Sequence, residues 1–390
     1  MPGGMGATAA VDTQLDFSRE EYAQRLAAVR KQMRLRGCDA VIVDAIENIN
    51  YLTGFTISGT RYQACLVFLD RDPVMVLRSI DEGTLLDSTW IADYVLFGDS
   101  EDPVEVVAST LSSHALDKSR IGVELDSNFL TAKLFQQLLA ALPQATPVDF
   151  SGAIWELRLI KSAAEIDCIR KAAAIADEAM RRVMEAADEG VGERFLAALA
   201  VSTYLELGAS DGHLGPFTSG SRIGSVHGQL RDRLLERGDV LHVELVPEYR
   251  GYSARMMRSA AIGPPVPAQE QAMKTLVDAQ DAQIAAMKPS ARAGDVDRIL
   301  RERVRAAGLR ERFDNVSGYT LGFYGTPRSP RASDFTRCFL PDSDWLLEAG
   351  MVFHMYVLGG SLSLSETVLV AADGPQRLTS VDRKLFAIGS

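Results

Sequence analysis

The chain contains few cysteines and no long apolar run. Only four of its 390 residues are cysteine, and their spacings match neither a zinc site nor a redox motif. Each lies in an apolar or mixed stretch, which is typical of a buried free thiol. No apolar segment approaches the roughly 18 residues that a membrane-spanning helix requires. We therefore expect no disulfide framework, no cysteine-ligated metal and no membrane span. The cysteines are Cys38, Cys65, Cys168 and Cys338.

Basic residues are also under-represented. The 41 lysines and arginines face 52 aspartates and glutamates, which gives a formal net charge of −11. Proteins that bind nucleic acids or anionic membranes need basic patches, so neither partner is expected. Residues 1–16 show no basic segment followed by an apolar one, so no secretory signal is predicted. A cytoplasmic enzyme is the default expectation.

The rest of the composition is that of a globular protein. Hydrophobic residues make up 47% and charged residues 24% of the chain, whose length predicts two or three domains. Residues 1–16 are predicted to be a disordered tail. Ser18 and Glu21 have the spacing of a capping box, which predicts a helix that ends near Gly37. Short apolar strands then alternate with helical stretches to about residue 150, which indicates an α/β domain.

Five phrases in the second half of the chain carry a resemblance to a known family. They resemble the creatinase / aminopeptidase P / methionine aminopeptidase superfamily, whose catalytic domain has the pita-bread fold. NINYLTGF at 48–55 and LRLIKS at 157–162 also resemble its phrases, so the resemblance covers roughly residues 18–385. The five phrases are GDVLHVE (238–244), GYSARMMR (251–258), GYTLG (318–322), GMVFHMY (350–356) and SETVLV (365–370).

The resemblance implies a two-domain architecture. A creatinase-like α/β domain would span residues 17–157, and a pita-bread α+β domain with a curved antiparallel sheet would span residues 158–390. Helix-rich stretches at 162–209 and 266–308 each precede strand-rich ones, which in this superfamily form an internal pseudo-repeat. The resemblance also implies a homodimer.

The resemblance, position by position, also predicts an enzyme without a metal. In metal-dependent members of the superfamily, five matching positions are Asp, Asp, His, Glu and Glu. Here they are Glu244, Arg255, Tyr319, Tyr356 and Glu366. A guanidinium repels a divalent cation, and phenols replace imidazole and carboxylate poorly as ligands. We therefore expect neither a metal nor another cofactor.

Glu244 and Arg255 are symmetric about positions 249 and 250. A hairpin with a tight turn there would place them directly opposite each other on adjacent strands. The pair would be an ion pair that orders the strands, and it would also hold Glu244 ionised and fixed, as a nucleophile or an amidinium anchor requires. Arg258 alternates to the other face and is expected to be structural.

The resemblance also implies catalytic roles for His227 and Glu366. His227 ends the stretch TSGSRIGSVH, which is similar to a family segment whose histidine faces the substrate. In the metal-free branch this histidine is expected to be a general base or proton shuttle; the alternative is an ordinary loop histidine. Glu366 would anchor a substrate amidinium, or would pair with Arg255 or Arg258 inside a collapsed former site.

Two phenols and a further imidazole are predicted to line the substrate pocket. Tyr319 and Tyr356 would donate hydrogen bonds to a developing anion, or would fill the space of the lost ligands. His354 lies two positions before Tyr356 on a predicted strand, so the two side chains should share a face. A satisfied core histidine is the alternative for His354.

Four further residues are predicted to bind substrate. Arg328 and Arg331 lie in a Pro-rich loop from which relatives are expected to supply an arginine for a substrate carboxylate. Arg61 and Tyr62 follow the phrase at 48–55, in a loop that the resemblance extends across the dimer to the partner's pocket. An exposed loop arginine is the alternative for the first pair.

Within the superfamily, the metal-free branch that contains ectoine hydrolase is the most similar. The resemblance rests on Glu244, the YSA at 252–254, the GYxxG at 318–322 and the GMxFH at 350–354. It implies a metal-independent hydrolase of a non-peptide C–N bond in a small carboxylate-bearing amidine, lactam or amide. Creatine is disfavoured because creatinase's guanidinium-binding carboxylates match Met257 and Tyr356. The alternatives are a non-catalytic binding module on a degenerate peptidase scaffold and a metal-dependent Xaa-Pro peptidase.

Overall fold

The computed structural model describes residues 15–56, 61–212, 214–222, 224, 227–324 and 336–389. Residues 1–14 of the predicted tail lie outside these ranges. The chain forms two compact units that divide between Leu157 and Arg158, and each is described by itself. Within the described ranges, no helix combines the length and the apolar character that crossing a bilayer requires.

The first unit is built around a six-stranded mixed sheet. Its strands are β1 (Ala40–Val43), β2 (Ala64–Phe68), β3 (Val74–Arg78), β4 (Asp93–Phe97), β5 (Arg120–Val123) and β6 (Thr146–Asp149). Its helices are α1 (Arg19–Arg36), α2 (Ile46–Thr53), α3 (Glu82–Ser88), α4 (Pro103–Ser113), α5 (Ala132–Ala141) and α6 (Ala153–Leu157), with a 3₁₀ turn at Ser79–Asp81. The strand order is β4-β3-β2-β1-β5-β6. The central strands β1 and β2 are fully buried, as continuous apolar runs should be, and the predicted α/β class is confirmed.

Helix α1 begins and ends where the sequence predicts. The Ser18 hydroxyl accepts from the Glu21 backbone N–H at 3.2 Å, so the hydroxyl half of the predicted capping box is confirmed. Gly37 ends the helix with a φ of 66°. The Glu21 carboxylate lies 3.3 Å from Arg25 Nη2.

In the described part of the second unit, four helices pack against a curved, mainly antiparallel sheet. The helices are α7 (Ala163–Ala186), α8 (Glu193–Glu206), α9 (Pro267–Ala285) and α10 (Ala293–Ala306), with a 3₁₀ turn at Gly220–Arg222. The strands are β7 (Leu214–Ser219), β8 (Val240–Leu245), β9 (Glu248–Tyr249), β10 (Tyr252–Ser253), β11 (Met256–Ile262), β12 (Gly318–Thr320), β13 (Val352–Gly359), β14 (Leu362–Ala371), β15 (Gly374–Arg377) and β16 (Phe386–Ile388). The order is β12-β13-β14-β11-β8-β7, with β15 beside β14 and β16 beside β11.

Two helix pairs cover one face of this sheet. Residues of α7 and α8 share a buried cluster with β7, β8 and β11, and residues of α9 and α10 share another with β13 and β14. The pairs fall in the two stretches predicted to be helix-rich, and each precedes strands of the sheet. The predicted arrangement of helices backing a curved antiparallel sheet is therefore confirmed.

Alternation along the strands gives the sheet a helix face and a cavity face. In β8, Leu241, Val243 and Leu245 belong to the helix-side core, while His242 and Glu244 point the other way. The cavity face, defined by this alternation and by strand register, comprises His242 and Glu244 (β8), Met257 and Ser259 (β11), His354 and Tyr356 (β13), and Ser363, Ser365 and Thr367 (β14).

The hairpin that carries Glu244 turns one residue later than the sequence predicts. Arg250 and Gly251 have φ values of 50° and 74°, as a two-residue turn with both central residues at positive φ requires. Met257, and not Arg255, therefore lies opposite Glu244. The expectation that Glu244 and Arg255 are directly opposed is corrected to a diagonal relation, which long side chains can still bridge.

Candidate active site

Five residues of the cavity face line the floor of a cavity of about 710 Å³ in the second unit: Glu244, Met257, His354, Tyr356 and Ser363. This volume suits a small metabolite. Backbone of β7 and the β13–β14 turn at residues 359–361 also line it. Its ionisable side chains among the described residues include His227, Glu244, Arg255, Arg310 and His354.

Glu244 is a buried carboxylate at this floor. It is 4% exposed, and its Oε1 lies 3.9 Å from Nη1 of Arg255. Burial raises the pKa of the Tyr204 phenol, and the negative charge of Glu244 raises it further. Strand β7 passes close by, because a Cβ at Gly215 would lie 2.5 Å from the Glu244 carbonyl oxygen. Glycine at 215 thus allows the tight packing that fixes the backbone of Glu244.

A hydrogen-bond chain joins Arg255 to His354. Nη1 of Arg255 donates to the Tyr319 hydroxyl, which lies 3.0 Å from Nδ1 of His354. Burial lowers the pKa of His354 well below its usual range, and the charge of Arg255 lowers it further, so the imidazole is neutral near pH 7. A guanidinium cannot accept, so Tyr319 accepts from it and can give its own proton to Nδ1. This arrangement places the His354 proton on Nε2, which has no partner among the described residues.

A second imidazole, that of His242, lies behind the cavity-lining residue Ser363. Nδ1 of His242 lies 2.5 Å from the Ser363 hydroxyl, which is 3.1 Å from that of Ser259. Burial lowers the pKa of His242 to about 4, with a smaller contribution from His227. This imidazole is also neutral near pH 7, so neither His242 nor His354 adds positive charge to the cavity.

A third polar chain starts at Arg310, a residue that the sequence did not single out. Its Nη1 donates to Asn315 Oδ1 at 2.8 Å, and Asn315 Nδ2 donates to the Tyr356 hydroxyl at 3.1 Å. Burial raises the pKa of Tyr356, and the charge of Glu244 also raises it. Arg310 and Asn315 lie in the irregular connection between α10 and β12, where no periodicity exists to reveal which way a side chain points.

The predicted residues Glu244, Arg255, Tyr319 and Tyr356 meet in this cavity. His227 and His354 also line it, and His227 is exposed. The structure thus brings together six residues that the sequence predicted from separate phrases.

Glu366 does not belong to this group. It shares the helix face with Leu364 and Val368 and is fully buried. Its Oε1 accepts from Arg258 Nη2 at 2.8 Å and lies 3.3 Å from Arg383 Nε, while its other oxygen accepts from Thr379. The expected amidinium contact is therefore corrected, because alternation turns Glu366 away from the cavity. Pairing with Arg258, the alternative from the sequence, is what the structure contains, and Arg258 has the structural role expected of it.

Arg61 and Tyr62 are held within the first unit. Tyr62 is buried, and desolvation together with the charge of Asp44 raises the pKa of its phenol. Arg61 donates to the carbonyl oxygens of Asp99 and Glu101 at 2.6 and 2.9 Å. These contacts lie within one chain, so the expectation that the pair lines a partner's pocket stays a prediction. Arg328 and Arg331 lie outside the described residues.

The side chains around the cavity do not fit a metal ion. The described part of the chain contains no group of three or more His, Cys, Asp or Glu side chains arranged to hold one. At two of the positions that match metal ligands in metal-dependent relatives, the Glu244 carboxylate faces the Arg255 cation at 3.9 Å. The cavity-face position next to Tyr356 on β14 is Ser365, because Glu366 faces the helices.

Comparisons with known proteins agree with this architecture. A family model described as the creatinase/prolidase N-terminal domain matches residues 25–160, and one described as metallopeptidase family M24 matches residues 167–372. A crystal structure of the dipeptidase PepE from Mycobacterium ulcerans superposes with a TM-score of 0.81 at 25% identity, over 95% of this chain and 99% of that one.

Three curated relatives extend over most of the chain. An uncharacterized hydrolase/peptidase of Sinorhizobium fredii is 29% identical over 95% of this chain and 98% of its own length. Ectoine hydrolase of Halomonas elongata is 26% identical over 96% and 99%, and creatinase of a Bacillus species is 28% identical over 87% and 83%. The M24 model spans more than half of this chain, and the protein therefore belongs to metallopeptidase family M24, a family of hydrolases.

Proposed function

We propose that this protein is a metal-independent hydrolase that cleaves a non-peptide C–N bond in a small carboxylate-bearing amidine, lactam or amide. The observation that carries the proposal is the buried Glu244 carboxylate, fixed beside Arg255 in a metabolite-sized cavity that His227 also lines. A fixed, ionised carboxylate and an imidazole that can carry a proton are the groups that such a hydrolysis needs.

Metal independence is proposed from the charge at the ligand positions. A divalent cation beside Glu244 would also lie near the Arg255 guanidinium, and like charges at such distances repel strongly away from bulk water. Tyr319, which accepts from Arg255, is a poor ligand while it keeps its proton. The family name alone therefore does not decide how this member works.

The charge balance of the cavity favours an anionic or zwitterionic substrate. Among the described lining residues, two guanidinium groups, Arg255 and Arg310, stand against the single carboxylate of Glu244. His242 and His354 are neutral near pH 7 because burial lowers their pKa values. A substrate carboxylate would balance the excess cation, and a substrate amidinium would be attracted to Glu244.

In the proposed reaction, Glu244 attacks the electrophilic carbon and forms a C–O bond. The leaving nitrogen takes a proton from the His227 imidazolium, the C–N bond breaks, and its electron pair stays on nitrogen. His227, now neutral, accepts a proton from water as that water attacks the same carbon. The C–O bond to Glu244 then breaks and returns its electrons to the carboxylate. The net change is the addition of one water molecule across the C–N bond.

Two hydrogen-bond donors support the charge that develops during attack. The Nε2 proton of His354 has no partner among the described residues, and Tyr356 accepts from Asn315 and so keeps its own proton for a ligand. Prearranged donors of this kind stabilise an oxyanion without reorganising during the reaction. This role applies to amide and lactam substrates, in which the charge develops on oxygen.

The similarity to ectoine hydrolase supports an amidine as the substrate. Ectoine is a cyclic amidine that bears a carboxylate, which is the charge pattern that the cavity favours. Creatinase, another relative, is named for creatine, a small molecule that carries a carboxylate and a guanidinium.

The test is a ¹H NMR turnover assay of chelator-treated protein with ectoine, hydroxyectoine, creatine and a Xaa-Pro dipeptide in one pool. We expect an amidine signal to disappear with the wild-type protein and with the control Glu302→Gln, whose residue is exposed on α10. Glu244→Gln should abolish the change. Cleavage of the dipeptide only after metal is added would overturn the proposal, as would full turnover by Glu244→Gln. An unchanged pool would favour a binding protein without catalysis.

A further inference from the structure

We propose that Arg310 is the anchor for the substrate carboxylate, and that it acts together with the Tyr356 hydroxyl. This inference deepens the proposed function, and it rests on that function only for the identity of the substrate. The carboxylate subsite is defined here as Arg310, Asn315 and Tyr356, all of which line the cavity.

Arg310 is a partly desolvated cation that forms no ion pair with the described acidic side chains. Its neighbours are paired: Arg312 lies 3.2 Å from Asp314, and Arg301 pairs with Asp297. Burial lowers the pKa of Arg310, which reflects the loss of water around its charge. The charge of Asp314 offsets part of this effect, but Asp314 is paired with Arg312. A cation that has lost water without an ion pair of its own is stabilised by an anionic ligand.

The guanidinium is oriented before any ligand arrives. Its Nη1 donates to Asn315 Oδ1 at 2.8 Å, and its Cζ lies 4.4 Å from the centre of the Phe313 ring. A guanidinium has five N–H donors, so enough remain for a two-point contact with a carboxylate. Stacking on Phe313 also restricts its rotation, which reduces the entropy lost on binding.

Asn315 couples the cation to a second donor. Because its Oδ1 accepts from Arg310, its Nδ2 is the group that donates to the Tyr356 hydroxyl at 3.1 Å. Tyr356 therefore keeps its own O–H for a ligand. A carboxylate at Arg310 would have this phenol as a further donor.

The other cavity arginine is already engaged. Arg255 lies 3.9 Å from Glu244 and donates to Tyr319, so it is committed to holding the reactive carboxylate. Binding a second carboxylate there would weaken the hold on the first. It follows that Arg255 holds the carboxylate of Glu244 and that Arg310 is left to bind the carboxylate of the substrate.

The subsite lies across the sheet from Glu244. Glu244, Met257, Ser365 and Tyr356 form one row across four strands, so the backbones at its ends lie roughly 14 Å apart. A small zwitterion bound over this row would have the Glu244 carboxylate towards one end and the Tyr356 hydroxyl towards the other.

The first experiment does not depend on turnover. Protein labelled with ¹⁵N-arginine is titrated with sodium acetate or sodium chloride at equal ionic strength, and the arginine Nε–H signals are followed by NMR. Arg310→Lys and Arg312→Lys assign the two signals. We expect the Arg310 signal to shift saturably with acetate alone and the exposed Arg312 signal to respond to neither salt. Equal responses of Arg310 to acetate and chloride would overturn the proposal.

The second experiment removes the carboxylate from the ligand instead. Calorimetry compares ectoine with 2-methyl-1,4,5,6-tetrahydropyrimidine, the same ring without the carboxylate, on Glu244→Gln protein to prevent turnover. Adding Arg310→Met should weaken ectoine binding about 10- to 100-fold and leave the bare ring within about twofold. Arg310→Lys should keep part of the affinity, and Arg312→Met should match the parent.

The outcomes separate the two proposals. Equal loss for both ring ligands, or loss for neither, would overturn the carboxylate subsite even if ectoine is hydrolysed. Failure of ectoine to bind, with the acetate response of Arg310 intact, would overturn the substrate and leave the subsite standing.

Discussion

Two buried glutamates show how residue-scale surroundings decide a role. Glu244 faces the cavity with one diagonal cation 3.9 Å away. Glu366 faces the helices, where Arg258 and Thr379 bind its oxygens directly. The first retains a geometry in which a ligand can approach, whereas the second is saturated by protein donors. Identical side chains on the two faces of one sheet are therefore available to a ligand in one case and to the protein's own donors in the other.

Glu366→Met should destabilise the second unit by about 3–5 kcal/mol, because it leaves the Arg258 guanidinium buried without its carboxylate. The double variant Glu366→Met/Arg258→Met should recover part of that loss. Urea unfolding measures both, with Glu302→Gln as the exposed control. Unchanged stability together with lost substrate binding would instead restore the amidinium anchor predicted from the sequence.

His242 predicts a pH dependence of stability. Burial lowers its pKa from an ordinary 6.5 to about 4. Between these values the unfolded chain binds the proton and the folded chain does not, so stability falls as the pH drops from about 6.5 towards 4. His242→Gln should flatten this fall by up to about 3 kcal/mol. Hydrogen exchange of the β8 and β11 peptides at about pH 7 and pH 5 checks it; equal pH slopes in variant and wild type would refute it.

At the scale of elements, the two-residue turn at Arg250 and Gly251 sets the register of the whole hairpin. Gly251 has a φ of 74°, and a Cβ there would lie 2.5 Å from Phe323. Gly308 has a similar φ of 68° with open space around it, so it provides a matched control. The turn thus governs the distance between Glu244 and Arg255 from outside the cavity.

Gly251→Ala should destabilise the protein by about 1–3 kcal/mol and reduce turnover, since both the backbone and Phe323 must shift. Gly308→Ala should show only the backbone part of the cost and keep full turnover. Thermal unfolding and the NMR assay measure the two effects. Equal losses for both variants would mean that Phe323 does not restrain the turn.

Strand alternation was the most useful guide in the sequence, and it was also where one prediction failed. It correctly placed His354 and Tyr356 together on the cavity face. Glu366 was assigned to the site by its family phrase, although Leu364 and Val368 on either side mark its position as core-facing. The hairpin register was misjudged by one residue at the turn because symmetry alone does not weigh the preference of Gly251 for positive φ.

The connection that carries Arg310 could not be predicted by the same means. Asn315 meets Tyr356 across 41 residues of chain, and no helical or strand period links them. Irregular segments acquire their direction from the finished fold, so only the structure reveals this cation in the cavity.

At the scale of the whole molecule, the pKa shifts predict that the stabilities of the two units change with pH in opposite directions. The first unit buries Asp44 and Glu124 near each other, and desolvation raises the pKa of both carboxyl groups, with mutual repulsion raising that of Glu124 further. A raised carboxyl pKa contributes stability that is complete below the unfolded value and is lost as the pH rises through the folded value. The neutral histidines of the second unit have the reverse effect.

Asp44→Asn should therefore stabilise the first unit at about pH 9 and give little change at about pH 4, where both carboxyl groups are protonated. Hydrogen exchange of β1 and β5 peptides, compared with β8 peptides in the same sample, measures each unit separately. A gain that is equal at both pH values would show that charge is not its cause.

The homodimer expected from the family resemblance stays a prediction, which light scattering of the purified protein would test.

The two faces of the second-unit sheet can be altered independently of each other. Along each strand, alternate residues contact either the helices or the cavity. Val243 and Leu364 belong to the helix-side core, whereas Arg255 lines the cavity and Ser365 shares the cavity face with Tyr356. A redesign of ligand preference could therefore be confined to every second amino acid of a few strands, and it would leave the packing of the core unchanged.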